Sequence, residues 1–369
     1  MIRVGFLTHN TRADNGWGRT SRELISVLSV QGVVVTVLVE EAGGIEGEKR
    51  ALWRSQAHPV YLFLGVLRAL PRLYACDVIH AFDGYPYAII GAFAAKLFGK
   101  KFVVTLHGTY ALDPFYNTRR PYIKGLYLWA LKRADAVVGV SSYTLQAVRE
   151  FAKFESRGVI SNGTSLFWLK APRTAAPAEN IKKPYILSVG MVKPQKGFTT
   201  SLRAFAKAKR QFPDLSYGII GNQTGRHFSE IVRLADELGV RNAVYFSQDV
   251  SDDELLAFYD HAELFVLTPV RIGQYIEGFG MVYREAGARG LAVIGSKNCG
   301  AEDAVQDGVS GILCPQGDED AVAFAMTRLL KDVALRARMG EAGRELSRRD
   351  TWESVARKYY TLYENPIPR

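Results

Sequence analysis

The chain has 369 residues, and its 48% hydrophobic and 23% charged content is the balance of a soluble globular protein. This length exceeds what one hydrophobic core usually serves, so two domains are expected. The net charge of +10 indicates attraction to an anionic partner, but no zinc finger or other nucleic-acid-binding motif accompanies the basic residues, and no nucleic-acid partner is expected.

The cysteine content indicates a reducing compartment, and the hydropathy pattern argues against export and membrane insertion. The three cysteines are far apart and form no Cys-x-x-Cys pair, which argues against a disulfide framework or a structural zinc site. The first apolar run reaches polar Thr8, His9 and Asn10 before a signal-peptide core could form. No uncharged apolar run reaches the roughly eighteen residues that a spanning helix needs. The sequence therefore predicts a cytoplasmic protein that does not cross a membrane.

Short β-rich apolar runs alternate with segments of helical periodicity along the first half of the chain, which predicts a parallel α/β domain. The predicted strands there are Ile2–Leu7, Val33–Val39, Val78–His80, Phe102–Leu106 and Ala136–Val140. The pattern restarts in the second half at Tyr185–Val189, Tyr217–Ile220, Ala243–Phe246, Leu264–Leu267 and Ala292–Gly295. The sequence thus predicts two doubly wound, Rossmann-like domains with a cleft between them.

The domain boundary is predicted from a segment without periodicity. Phe167–Pro184 is rich in proline and small residues, which is typical of an interdomain linker, and we place the boundary near Ala175. The predicted domains are therefore residues 1–175 and 176–350. Residues 351–364 have helical spacing of apolar side chains, so a final helix within 351–369 is predicted to pack back on the first domain.

A glycine-rich segment follows the first predicted strand. Gly16 and Gly18 precede a helix predicted to begin at about Thr20, as in a phosphate-binding loop, although a simple turn explains them too. Glu40 and Glu41, roughly twenty residues downstream, keep an NAD(P)-dependent dehydrogenase open as an alternative. A dinucleotide motif would need a third glycine where this chain has Ser21.

The most informative segment is Glu277-Gly-Phe-Gly-Met-Val-Tyr-Arg-Glu285, in which two carboxylates bracket a glycine-rich turn. Gly278 and Gly280 let the backbone approach a ligand closely, and the following helix should present its N-terminus to an anion. Glu277 is placed to accept hydrogen bonds from sugar hydroxyls. Glu285, expected about two turns into the helix, is placed to bind a ribose diol.

This segment resembles the retaining glycosyltransferases of family 4, also described as glycosyl transferases group 1, which have the two-domain GT-B fold. The resemblance extends to Gly290-Leu-Ala-Val-Ile-Gly-Ser, to Asp307-Gly-Val-Ser-Gly-Ile-Leu-Cys-Pro and to Asn162-Gly-Thr, and covers nearly the whole chain. It implies a hexosyltransferase that binds a nucleotide-sugar donor on the second domain, holds the acceptor mainly on the first, and retains the anomeric configuration.

The resemblance also implies roles for single residues on the second domain. Gly190 begins a segment in which the family has an arginine and then Lys-Gly; Lys196 matches, whereas Met191 occupies the arginine position. Lys196 is thus expected to neutralise the leaving diphosphate, with Lys193 or Arg19 as candidates for the missing cation. Among the remaining implied donor contacts, Glu277 holds the sugar, Glu285 holds the ribose, and the backbone N–H groups of Gly278, Phe279 and Gly280 orient the sugar.

On the first domain, the resemblance implies that Gly16 and Gly18 face the donor and that His107, at the end of a strand, lies beside the transferred sugar. We expect His9 to line the acceptor side and His80 to be structural. No His-x3-His or Asp-x-Asp spacing is present, so neither a metal ion nor a cofactor is expected, and the nucleotide-sugar is a substrate.

The donor, the acceptor and membrane contact remain open from the sequence. Gly280-Met-Val-Tyr283 resembles mannosyl-transferring relatives, which makes GDP-mannose the first guess and a UDP-sugar the second, with a glycan or lipid-linked acceptor. Met191 keeps a catalytically impaired nucleotide-sugar-binding protein as an alternative. Basic and aromatic residues in Val60–Tyr74 and in a second region, Arg119–Arg133, fit peripheral contact with a membrane or ordinary core-facing helices equally well.

Overall fold

The computed structural model describes residues 1–52, 59–116, 121–175 and 181–364. Its internal contacts divide the chain into two units. The first comprises Met1–Gly163 together with the segment that begins at Trp352, and the second comprises Thr164–Thr351.

The first unit is built on a parallel six-stranded sheet with the strand order β3-β2-β1-β4-β5-β6. Most of its strands are buried along their length because helices cover them, which explains their near-continuous apolar sequences. In chain order, the elements are β1 (Arg3–Asn10), α1 (Gly16–Val30), β2 (Val34–Glu41), β3 (Lys49–Arg50), α2 (Pro59–Leu73), β4 (Val78–Ala81), α3 (Tyr87–Phe98), β5 (Lys101–Leu106), α4 (Gly108–Tyr116), α5 (Pro121–Arg133), β6 (Ala136–Gly139) and α6 (Ser142–Arg149).

The second unit repeats this plan with the strand order β12-β11-β10-β7-β8-β9, again all parallel. In chain order, its elements are α7 (Leu166–Lys170), β7 (Tyr185–Val189), α8 (Phe198–Lys209), β8 (Ser216–Ile220), α9 (Arg226–Glu237), β9 (Val244–Ser247), α10 (Asp252–His261), β10 (Leu264–Val266), α11 (Met281–Ala288), β11 (Val293–Ser296), α12 (Ala301–Ala304), β12 (Gly311–Cys314), α13 (Glu319–Lys331) and α14 (Val333–Arg349). The prediction of two doubly wound α/β domains is confirmed.

The last helix, α15 (Trp352–Glu364), is part of the first unit. Its buried tyrosines bind polar groups of the first sheet: Tyr363 Oη lies 2.7 Å from His80 Nδ1, and Tyr359 Oη lies 2.9 Å from Thr105 Oγ1. His80 Nε2 in turn lies 2.9 Å from Thr105 Oγ1. A continuous buried hydrogen-bond chain therefore fixes α15 to β4 and β5.

The contact boundary lies between Gly163 and Thr164, earlier than the predicted position near Ala175. The segment after residue 164 belongs to the second unit because Arg289 Nη1 donates to the carbonyl oxygens of Trp168 and Ala171, at 3.0 and 2.8 Å. The predicted linker is also not wholly irregular, since its first residues form α7. The rest of the linker prediction partly falls on residues 176–180, outside the described residues, as do residues 365–369 of the predicted last helix.

All ten predicted strands exist, with ends that differ by a few residues. Two strands were missed. β3 has two residues, and β12 is a short run flanked by glycine and proline, so neither shows a clear apolar pattern. The helix after the first strand begins at Gly16 and not near Thr20, because the Asn15 side chain accepts a hydrogen bond from the Gly18 N–H and caps it there.

Candidate functional site

The strand order of each sheet reverses at one point, and loops leaving that point in opposite directions open a crevice at the carboxyl ends of the strands. In the second unit the reversal lies between β7 and β10. The segments that follow these two strands are residues 190–197 and 267–280. They contain most of the residues that the sequence predicted for donor binding.

Lys196 and Glu277 come together at this point. Lys196 Nζ lies 2.6 Å from Glu277 Oε2, with both side chains partly buried. Lys196 ends a short 3₁₀ turn, and Gly197 after it has φ +72°. A Cβ at Gly197 would lie 1.6 Å from the carbonyl oxygen of Thr268, so only glycine permits this approach of the two segments. The lysine is therefore positioned by close backbone packing.

The turn that contains Glu277 leads directly into α11. The Gly300 N–H donates to the Glu277 carbonyl oxygen at 2.9 Å, and a Cβ at Gly300 would lie 2.2 Å from the Gly278 carbonyl oxygen. Gly280, with φ +86°, occupies the N-cap position, and no side chain in the described part of the chain caps the helix. The start of α11 thus presents backbone N–H groups that suit the binding of an anion or a hydroxyl group.

Glu285 lies one turn into α11, and not two as predicted, because the helix begins at Met281. Its side chain is buried, and Tyr259 Oη donates to its Oε2 at 3.0 Å. The tyrosine belongs to α10, so the carboxylate is oriented by a neighbouring helix. Buried and directed in this way, Glu285 has a defined position one helical turn behind the glycine-rich segment.

The remaining candidates near the second-unit site are less constrained. Gly190 directly follows β7 and has φ +146°, and Met191 after it is about half exposed at 49%. Lys193 is exposed and precedes the 3₁₀ turn. Arg19 belongs to α1 of the first unit, where its Nε donates to the Ala13 carbonyl oxygen. The proposal that Lys193 or Arg19 replaces the missing cation stays a prediction.

In the first unit the strand order reverses between β1 and β4. Gly16 is exposed at the start of α1, whereas Gly18 is buried and its N–H is bonded to Asn15. A Cβ at Gly18 would lie 2.1 Å from Asn10 Oδ1 and 2.2 Å from the Arg12 carbonyl oxygen. Close packing therefore requires Gly18 whatever its role toward a donor.

His107 follows β5, as predicted, and packs against Phe82 with ring centroids 4.5 Å apart. Its Nε2 is buried and has no hydrogen-bond partner among the described residues, although the residue is partly exposed as a whole. Burial lowers the pKa of His107 to about 3, so the imidazole is neutral at physiological pH. A neutral imidazole can take part in hydrogen bonds but does not supply charge.

The sequence did not single out a group of residues at the β1–β4 reversal. Asp83, just after β4, is completely buried and accepts hydrogen bonds from Thr8 Oγ1, the His9 N–H and the Trp17 indole N–H. Burial raises its pKa to about 6 against the opposing effect of these bonds. Burial lowers the pKa of His9, but the hydrogen bond and charge of Glu40 outweigh it and the net shift is upward. The signal that could have identified Asp83 is its position directly after a strand at the reversal.

Two findings concern metal ions and membranes. In the described residues, no group of three or more His, Cys, Asp or Glu side chains is arranged to hold a metal ion. Nor does any helix there combine the length and apolar character needed to span a bilayer. The absence of a metal requirement, predicted from the sequence, remains a prediction.

Family models match almost the whole chain. Residues 14–166 match Glycosyltransferase Family 4, and residues 173–346 match Glycosyl transferases group 1. The chain belongs to glycosyltransferase family 4. Its two Rossmann-like units are those of the GT-B fold, and the dehydrogenase alternative is set aside.

The chain is similar to several named enzymes and solved structures. The chain is 29% identical to the GDP-mannose-dependent alpha-(1-6)-phosphatidylinositol monomannoside mannosyltransferase of Mycolicibacterium smegmatis, over 73% of this chain and 70% of that one. It is 28% identical to the N-acetyl-alpha-D-glucosaminyl L-malate synthase of Bacillus anthracis, over 78% and 74%. Among solved structures, sucrose-phosphate synthase from Thermosynechococcus elongatus has a TM-score of 0.79 at 20% identity, covering 98% of both chains. Anabaena HepE, solved with UDP-glucose, has a TM-score of 0.78 at 18% identity, covering 99% of this chain and 100% of that one.

Proposed function

We propose that this glycosyltransferase is a retaining hexosyltransferase that transfers a sugar from a nucleotide-sugar to a glycan or lipid-linked acceptor. The observation that carries the proposal is the Lys196–Glu277 pair beside the uncapped start of α11. One carboxylate, one ammonium group and several backbone N–H groups meet there at the reversal of strand order. Such groups suit the anionic diphosphate and the hydroxyl groups of a nucleotide-sugar.

The geometry supports a division of roles among these groups. The Lys196 ammonium group, held by the Gly197–Thr268 packing, would neutralise charge that grows on the leaving diphosphate as the sugar bond breaks. Glu277 would accept hydrogen bonds from sugar hydroxyls, while the N–H groups of residues 278–280 orient the sugar. Glu285 would accept hydrogen bonds from the ribose, with Tyr259 holding its other side. These groups can act without a metal ion or a cofactor, and we propose that none is required.

His107 would support the reacting face of the sugar. Because its imidazole is neutral, it would act through hydrogen bonding and not through charge. We assign no carboxylate among these residues as a nucleophile. Retention of the anomeric configuration is therefore proposed from membership of the family alone.

GDP-mannose is proposed as the donor, with a UDP-sugar as the second candidate. The mannosyltransferase of M. smegmatis supports the first and is described as GDP-mannose-dependent. The structure of Anabaena HepE with UDP-glucose supports the second, since the two chains share a fold.

The surface of the first unit supports a lipid-linked acceptor and peripheral contact with the cytoplasmic face of a membrane. α2 buries Leu62 and Ala69 but leaves Phe63 61% exposed, and α3, which packs against α2, leaves Leu97 exposed. Arg68, on α2, adds positive charge to this surface. The core-facing interpretation explains the buried face of α2 but not its exposed apolar residues. Arg119 and Arg120 of the second predicted region lie outside the described residues.

A specific observation favours a second candidate, a nucleotide-sugar-binding protein with impaired catalysis. The cation usual in the family is replaced by Met191, which follows β7 near the site and carries no charge. Loss of one stabilising group for the leaving diphosphate would slow transfer more than it would weaken binding.

The test is a thermal-shift screen of GDP-mannose, UDP-glucose and NAD, with release of free nucleotide measured in parallel. Glu285→Ala is compared with Glu237→Ala, which removes an exposed carboxylate of the same unit. We expect one nucleotide-sugar to raise the melting temperature and to be turned over, and only Glu285→Ala to abolish both effects. NMR of the product then gives its anomeric configuration. Stabilisation by NAD alone would contradict the proposal, and binding without turnover would favour the impaired protein.

A further inference from the structure

Three aromatic rings form a stack at the β1–β4 reversal of the first unit. His9 comes from the end of β1, Trp17 from the first turn of α1, and Tyr110 from the first turn of α4. The His9 and Trp17 ring centroids are 4.5 Å apart with an interplanar angle of 27°, and those of Trp17 and Tyr110 are 3.9 Å apart at 30°. We call His9, Trp17 and Tyr110 the ring stack.

Two buried carboxylates hold the ring stack in place. Asp83 binds the backbone N–H of His9, at 2.9 Å, and the indole N–H of Trp17, so two of the rings share one anchor. Glu40 Oε2 lies 3.3 Å from His9 Nδ1, and its Oε1 accepts a hydrogen bond from Tyr87 Oη at 2.8 Å. Burying a carboxylate costs free energy unless hydrogen-bond donors surround it. The donors around Asp83 and Glu40 meet this requirement, and they fix the positions of His9 and Trp17.

The ring stack does not belong to the hydrophobic core. Tyr110 is 43% exposed, and Trp17 and His9 are partly exposed, whereas the large core aromatic residues of this unit are fully buried. Rings that are fixed from behind and reached by solvent at the carboxyl ends of parallel strands form a preorganised binding surface.

We propose that the ring stack, with Glu40 beside it, is a subsite for an uncharged pyranose ring of the acceptor. This assignment to the acceptor rests on the proposed transferase function. The C–H faces of a sugar ring would pack on the exposed aromatic surface, and the second nitrogen of His9 would hydrogen-bond a sugar hydroxyl.

The charges around the ring stack favour an uncharged ring over a phosphorylated one. Glu40, Glu41 and Asp83 all act on His9 as negative groups. The cations near the ring stack are already engaged: Arg12 pairs with Asp14 and, at 3.9 Å, with Glu41, Arg22 donates to the Thr11 and Gly43 carbonyl oxygens, and Arg19 Nε donates to the Ala13 carbonyl oxygen. His9 is itself paired with Glu40. A phosphate on the bound ring would therefore lie beside carboxylates while the neighbouring positive groups have other partners.

The test uses the full chain without a nucleotide-sugar and measures, by NMR titration, the binding of methyl α-mannoside, methyl α-glucoside and the 6-phosphate of each. Tyr110→Ala is compared with Tyr116→Ala, which removes an exposed tyrosine from the other end of α4. We expect at least one neutral glycoside to bind the wild type more tightly than its phosphate does. Tyr110→Ala should weaken this binding at least tenfold, and Tyr116→Ala should leave it unchanged.

The proposal is overturned if neither neutral glycoside binds, if a phosphorylated one binds as well or better, or if the two tyrosine variants behave alike. A Trp17→Phe variant adds a second check, because it keeps an aromatic ring but loses the bond to Asp83, so binding should weaken while the fold is preserved. The thermal shift produced by nucleotide-sugars, measured on the same samples, reports the second unit separately. Its absence would contradict the proposed function without altering the outcome for the ring stack.

Discussion

His80 should make the stability of the first unit depend on pH, and the substitution His80→Gln should remove this dependence. Its side chain is fully buried between Thr105 and Tyr363, and burial, reinforced by the nearby His107, lowers its pKa from 6.5 to about 3. The folded state therefore holds His80 neutral, while the unfolded chain binds a proton below pH 6.5. Burial of neutral His80 therefore carries no protonation penalty above pH 6.5. As the pH falls from 6.5 toward 3, the free energy of unfolding decreases progressively, because the unfolded state binds a proton that the folded state does not.

The magnitude follows from proton linkage. At pH 5 the unfolded histidine is almost fully protonated, and the lost stability relative to pH 7 is about 2 kcal/mol. His80→Gln keeps a hydrogen-bonding side chain but cannot titrate in this range. The difference in opening free energy between wild type and His80→Gln should therefore shrink by about 2 kcal/mol between pH 7 and pH 5.

Hydrogen exchange of peptides from β4 and α15 measures this opening, once intrinsic exchange rates are corrected for pH. Other titrating groups of the unit, including Asp83 with its raised pKa, occur in both proteins and cancel in the difference. Peptides of the second unit provide an internal control, because their difference should not change with pH. A difference in β4 and α15 that is the same at pH 7 and pH 5 would refute the argument.

Three further predictions concern the second unit. Met191→Arg should raise the rate of nucleotide release from the preferred donor roughly tenfold if the missing cation limits leaving-group stabilisation, and an unchanged rate in steady-state assays would show that it does not. Gly197→Ala should destabilise the unit by roughly 2 kcal/mol or more and abolish the donor-induced thermal shift. The reason is that φ is +72° and the new methyl group would clash with the Thr268 carbonyl oxygen. Wild-type stability together with a wild-type thermal shift would contradict this packing argument. Asp260→Asn should lower the free energy of unfolding in urea by about 3 to 5 kcal/mol, because the Asp260 side chain is fully buried and binds Arg289 at 2.7 and 2.9 Å. The substitution leaves the buried guanidinium group without this counter-charge, and a loss below about 1 kcal/mol would mean that the pair contributes little.

The sequence predicted the strands well because their signal is local. A buried parallel strand must be apolar on both faces, so Tyr185–Val189 and Phe102–Leu106 are evident without knowledge of their neighbours. β3 and β12 lack that signal, since each is short and lies at the edge of its sheet. The domain boundary depends on long-range contacts, and the Arg289–Asp260 pair that fixes residues 164–175 to the second unit cannot be read from the linker composition.

The candidate site was predictable where glycines and charged residues lie together in the sequence. Glu277, Gly278 and Gly280 follow one another, and the nearness of Lys196 came from the family resemblance and not from spacing. The contact between Tyr259 and Glu285 joins residues 26 positions apart, and the one between Asp83 and Trp17 joins residues 66 apart. Such pairs can be predicted only when the strand order is known, because the strand order decides which loops are neighbours.

The two reversals of strand order differ in chemistry, and this difference is the basis of the division of roles that we propose within the chain. The second-unit reversal offers Lys196 and the uncapped start of α11, both suited to a charged diphosphate. The first-unit reversal offers Asp83 and Glu40 behind aromatic rings, which would repel a phosphate and favour a neutral ring. In this proposal, the same topology produces two recognition surfaces that differ in electrostatic character. On this argument, the first unit selects a neutral acceptor ring over a phosphorylated one. The second unit stabilises the negative charge that develops on the departing nucleotide.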